Sequence, residues 1–193
     1  MRNPLRFSTS IAVLLTALLG LLSNQALADS YAKTVAAFEN AGESGRFFEQ
    51  AYGYAVFPTI GKAGFVIGGA YGDGLVYIND TVVGSTTMTQ VSVGWQLGGQ
   101  AYSMIVFFRD RAAFENFTSG DFEFSAKAEA VAITAGISGA ASTAGSSITA
   151  SGNRENAITA GDYYKGMAVF TIAKGGLMYE ATLAGQKFSY TPL

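Results

Sequence analysis

The sequence predicts an α+β fold: a single domain dominated by a strongly twisted antiparallel β-sheet, open to barrel-like closure, with an N-terminal helix and a short helix near residues 111–119. Three observations predict it. From Tyr52 onward the chain runs in short aromatic and β-branched stretches, several alternating with period two. Many of its 24 glycines sit inside those apolar stretches rather than in polar linkers, the pattern of bulges and close backbone approach rather than of disorder. Helical spacing is confined to residues 31–50 and to the segment after Arg109, and no domain boundary is visible.

In residues 31–50, Ala32, Val35, Ala36, Phe38 and Ala41 fall on one side, Asp29 or Ser30 can cap the start, and Gly42 and Gly45 interrupt the run. Such an amphipathic helix either packs on its own sheet or faces a membrane. The stretch from Tyr52 reads as strand, with Pro58 closing it at an edge or bulge. Phe65 to Ile67 and Leu75 to Ile78 read as two apolar runs around a tight hairpin made by Gly68, Gly69, Gly72 and Gly74, followed by a turn at Asn79-Asp80.

The next strand alternates cleanly. Met88, Gln90, Ser92, Gly94 and Gln96 share one face, and Thr89, Val91, Val93, Trp95 and Leu97 share the other. The bulkier second set is expected to be the buried side, which makes Trp95 a core residue or the lining of a lipid cavity. Tyr102 to Phe108 reads as a more thoroughly buried strand. Asp110 is the expected N-cap of a helix that Gly120 stops, with Ala112, Ala113, Phe114 and Phe117 on its apolar side. Phe122 to Ala135 alternates as strand despite its alanines, residues 136–161 are small and polar, and two further strands flank Gly175-Gly176, with a final pass ending near Tyr190.

Residues 1–28 have the pattern of an export signal. Arg2 and Arg6 form a positive start, Ile11 to Leu22 an apolar centre, and Ala26-Leu27-Ala28 a small-x-small cleavage site. The apolar centre is short of the roughly 20 residues that a bilayer-crossing helix needs. The expected mature protein is residues 29–193, located in the periplasm or peripherally on a membrane. Losing Arg2 and Arg6 makes it more acidic than the formal charge of −2 for the whole chain. That balance excludes a basic nucleic-acid footprint. With no cysteine there is no disulfide staple, and with no histidine the common metal ligand and general base are missing. Triads built on Ser-His or Cys-His cannot be assembled. No catalytic residue, metal site or cofactor is expected, and the chain is read as non-enzymatic.

The glycines around Gly64, Gly68 and Gly69 do not follow either nucleotide-loop spacing. Asp73, Asp80, Asp110, Asp121, Glu123 and Asp162 are scattered over turn-like positions, where carboxylates act as ordinary caps. Lys62, Lys174 and Lys187 each flank an apolar strand. They are either gatekeepers that discourage edge pairing or a rim that meets phosphate headgroups.

Four ordered blocks resemble one family. Ala51 to Tyr77 carries Ala55-Val56-Phe57-Pro58, Lys62-Ala63-Gly64-Phe65 and the Gly68-Gly69…Gly72…Gly74 series; the others begin at Val93, Phe122 and Ala173. Together they are similar to the SYLF family, also called the Ysc84 actin-binding domain, in its small bacterial exported form. The resemblance implies lipid binding; eukaryotic members associate with phosphoinositide membranes and some bind actin. Here the matching N-terminal segment holds Lys33 and Arg46 against Glu39, Glu43 and Glu49, so what carries over is a general affinity for anionic phospholipid or a membrane surface. The residues implied as lipid contacts are Lys62, Phe65, Tyr71, Trp95, Lys174, Tyr179 and Lys187. The alternative partner is a protein of the cell envelope, with the chain as a structural or interaction module; nucleic acid and nucleotide are not expected.

Overall fold

The patterned segments pair into one sheet. In the computed structural model, which describes residues 25–64, 67–93, 99–120, 122–124, 131–133, 163, 165–174 and 185–193, the strands are β1 (Gly53–Gly64), β2 (Ile67–Ile78), β3 (Thr81–Val93), β4 (Gly99–Phe108), β5 (Phe122–Glu123), β6 (Val131–Ile133), β7 (Met167–Lys174) and β8 (Gln186–Pro192). Their order in the sheet is β5-β8-β3-β2-β1-β4-β7-β6. Every described pairing is antiparallel except β6 with β7, and the sheet curls into a half-barrel. The helices are α1 (residues 25–39), α2 (Gly42–Gln50) and α3 (Arg111–Phe117).

The chain divides into two units, one ending at Lys33 and one running from Thr34 to Leu193. The described part of the first, residues 25–33, is helical and carries an ion pair between Lys33 Nζ and Asp29 Oδ2 at 2.6 Å. Ala26, Leu27 and Ala28 are helical and exposed there; the rest of the expected signal, residues 1–24, lies outside the described residues, as do 136–161.

Pro58 does not end its strand. β1 continues to Gly64 through a bulge between Phe57 and Ile60, where Pro58 and Thr59 together oppose one residue of each neighbour. The Ser103 hydroxyl donates to the Pro58 carbonyl at 2.7 Å, so the group freed from the ladder finds a partner.

The expected glycine hairpin is also corrected. Ile67–Ile78 is one continuous strand, and its glycines are inside it rather than at a turn. The reason is space: a Cβ on Gly72 would come within 2.6 Å of Ile60 Cγ1, and one on Gly74 within 2.7 Å of the Phe57 ring. The turn itself is at Asn79-Asp80, whose φ values of 48° and 59° suit a two-residue hairpin of the type that matches strand twist.

The alternation of β3 is confirmed with its faces reversed. Met88 is 0 % exposed and Gln90 6 %, whereas Val91 is 77 % exposed. The cause is a bulge near the start of the strand: Tyr77 pairs with Val82, but Val76 pairs with Gly84, leaving Val83 as an extra residue. One inserted residue sends every later side chain to the opposite face. The Val83 carbonyl accepts from the Tyr190 hydroxyl and from the Leu193 amide, both at 3.1 Å, which ties the bulge to β8.

The sheet is covered on both sides near β1, β4 and β7, so Tyr102 to Phe108 are all buried, as their apolar run predicts. On the concave side lie Phe57, Ile60, Met88, Met104, Phe108 and Phe188, with Phe117 of α3 stacked among them; its ring is 4.9 Å from Phe108 and 5.0 Å from Phe188. On the convex side α2 lays Phe47 against Phe107 and Phe170, at 5.5 and 5.0 Å, and Phe48 against Tyr54. Asp110 caps α3 as expected, its carboxylate accepting from the Ala113 amide at 2.9 Å, and that bond lowers its pKa.

Gly74→Ala is expected to destabilise the protein by about 1–3 kcal/mol, because the added methyl must displace a fully buried Phe57 ring. Tyr190→Phe is expected to cost roughly 1 kcal/mol through the lost hydroxyl at the Val83 bulge. Urea unfolding midpoints at a common slope measure both; an unchanged midpoint for either rejects the role given to that contact.

Candidate functional site

Because facing residues of paired strands share a side of the sheet, the register assigns each candidate to a face. One row crosses the convex side: Lys174, Ala101, Gly61, Tyr71, Thr89, Lys187 and Glu123, on β7, β4, β1, β2, β3, β8 and β5. Lys174 and Lys187 stand five strand steps apart, about 24 Å measured along the sheet at the usual strand spacing. Between them the floor is low at Ala101 and Gly61, where an added Cβ would meet nothing within 4 Å. Beside this floor Tyr71 is 54 % exposed, and Val91, one pair along, is 77 % exposed.

The polar groups of this face are lightly held. The Lys174 ammonium donates to Thr59 Oγ1 at 2.8 Å, and Lys187 Nζ is 3.5 Å from Glu123 Oε2, with both side chains largely exposed. An exposed pair of that kind contributes little to stability and is easily exchanged for another anion. The Tyr71 hydroxyl donates to Asp73 Oδ1 at 2.6 Å, which raises its pKa. Thr87 and Ser189 share a short hydroxyl contact.

The concave side has its own polar group at the same end of the sheet. Lys62 pairs with Ala70, Ala70 with Gln90, and Gln90 with Gln186, so all four face inward. Tyr102 is Lys62's diagonal neighbour on β4. Gln186 Nε2 donates to the Tyr102 hydroxyl at 3.4 Å although three strands separate β8 from β4 in the sheet, a direct consequence of the curl. Burial pushes the Tyr102 phenol up to about 12. Gln186 Oε1 is buried with no hydrogen-bond partner among the described residues.

The structure therefore brings Tyr71, Lys174 and Lys187 onto one row and places Lys62 on the opposite face from them. Phe65, Trp95 and Tyr179 lie outside the described residues. Of the acidic residues, Asp110 is a helix cap and Asp80 a turn residue 3.5 Å from the Tyr54 hydroxyl; Asp121 and Asp162 lie outside the described residues. Reading the bulky face of β3 as buried hid Val91 as a surface residue and Gln90 as a core one. The available signal was polar Gln90 and Gln186 recurring at inward positions of adjacent strands. No helix among the described residues is long and apolar enough to cross a membrane.

Residues 89–191, more than half of the chain, match the family described as Ysc84, Las17-binding protein actin regulator. The chain is also 28% identical over 143 residues to beta cell expansion factor A of Aeromonas veronii. That alignment takes in 73% of this chain and 46% of the relative, so the chain spans about half the length of the curated protein it matches. The chain belongs to the Ysc84, or SYLF, family.

Proposed function

We propose that this chain is a non-enzymatic protein that binds anionic phospholipid surfaces through the convex face of its sheet. The observation that carries the reading is the single row in which Lys174 and Lys187 flank exposed Tyr71 and the low floor at Gly61, with Val91 beside it. Val91 and the Tyr71 ring supply apolar area worth roughly 25 cal/mol per Å² when buried, and each lysine held at an anionic surface adds about 1 kcal/mol. The concave side is filled by Phe57, Phe108, Phe117 and Phe188, which directs this reading to the outside of the sheet.

Mature protein is expected to co-sediment with phosphatidylglycerol vesicles at low salt, and less so as ionic strength rises. Replacing Lys174 and Lys187 together by glutamate should weaken that binding more than tenfold with the unfolding midpoint nearly unchanged. Vesicle affinity that survives the double change in a folded protein removes the lipid reading and favours a protein partner for this face.

The pattern of residues 1–28 supports the further proposal that the protein acts in the periplasm. N-terminal sequencing of protein recovered from the periplasmic fraction should begin at Asp29; an intact Met1 in the cytoplasmic fraction rejects it.

A further inference from the structure

We propose that the concave polar group of Lys62, Tyr102, Gln90 and Gln186 is a second binding site, independent of the membrane-contact face, for a glycerophosphate group: hydroxyls beside an anionic phosphate. The argument starts from Gln186, which is 1 % exposed. One end of its carboxamide is held by the Tyr102 hydroxyl and the other, Oε1, has no partner among the described residues. Turning the amide over exchanges the two ends without satisfying both, and a buried polar end without a hydrogen bond is costly. A hydroxyl both donates and accepts, so it satisfies whichever end is presented.

The neighbours narrow the ligand further. Gln90, 6 % exposed, is the direct cross-strand partner of Gln186 and adds a second carboxamide at the same depth. Lys62 is half-buried on the same face beside Tyr102, so a cation stands nearer the solvent than the two amides. An ammonium outside and amides inside suit a phosphate outside and hydroxyls inside. Beneath the amides Ile60, Met88 and Phe188 are packed to 0–2 % exposure. A hydrocarbon tail has no room to continue inward there, so any acyl chain on the ligand must leave past Lys62.

Two sources share this chemistry, a free glycerol phosphate and the headgroup of a phosphatidylglycerol-type lipid. Calorimetric titration of the mature protein with sn-glycerol 3-phosphate, and with lysophosphatidylglycerol below its micellar concentration, separates them. Saturable binding of the first identifies a soluble ligand, and binding of the second alone identifies a lipid headgroup. In either case Lys62→Met and Gln186→Leu should each weaken affinity about tenfold, and the Lys174 and Lys187 double change should not. Should Gln186→Leu fail to fold, Tyr102→Phe takes its place, since it removes the hydroxyl that orients the amide. No saturable binding of either probe, or an affinity unchanged by either substitution in folded protein, overturns the assignment whatever the vesicle experiment shows.

Discussion

The extra residue at Val83 shifts β3 by one position against β2, and what β3 presents to each side of the sheet follows from that shift. Without it Tyr77 and Val82 would continue a regular ladder and the odd-numbered side chains would turn inward. With it Met88 enters the core, Gln90 becomes the partner of Gln186 in the interior, and Val91 is left on the surface. The bulge persists because its carbonyl is occupied by Tyr190 of the last strand and by Leu193, which follows it. The second bulge, at Pro58 and Thr59, works in the same way for β1. It keeps Phe57 and Ile60 both inward while carrying the strand past a proline, and Ser103 takes the carbonyl it frees.

Curvature is the second consequence. Bulges increase local twist, and small residues on the concave side allow a sheet to close on large side chains. Gly72 and Gly74 lie under Ile60 and Phe57, and Gly84 lies under the Tyr190 ring, so the glycines stand where aromatic or branched side chains press on the backbone. The result brings Gln186 on β8 to the Tyr102 hydroxyl on β4, and Phe188 to within 5.8 Å of Phe57, ring centre to ring centre. Helix α3 then completes the packing with Phe117. A curled sheet with a packed interior presents a polar row on its convex side and holds a polar group beside the apolar layer on its concave side. The two proposed sites use one each.

Much of this was legible along the chain, and the legible parts are local. The Asn79-Asp80 turn, the Asp110 cap and the thoroughly buried Tyr102–Phe108 strand depend on residues close in sequence, so their chemistry could be read directly. Gly68 to Gly74 and a tight hairpin share a composition; what requires small residues there is Phe57 and Ile60 pressing across the β1–β2 pairing, which composition does not display. The lysines were legible as strand-end residues but not as members of a face. Lys62 and Lys174 are similar in their local surroundings, and the β1–β4–β7 register puts them on opposite sides.

The sequence by itself determined the class of fold, the strand character of the segments from Tyr52 onward, and the exclusions that follow from lacking histidine and cysteine. It also carried the family, because four separated blocks occur in order. Only the tertiary structure decided which side of each strand is inside. Alternation defines two faces and is silent about which one meets the core. A bulge of one residue exchanges them at almost no cost in composition, and its location depends on where a distant strand offers a donor for the carbonyl that the bulge releases.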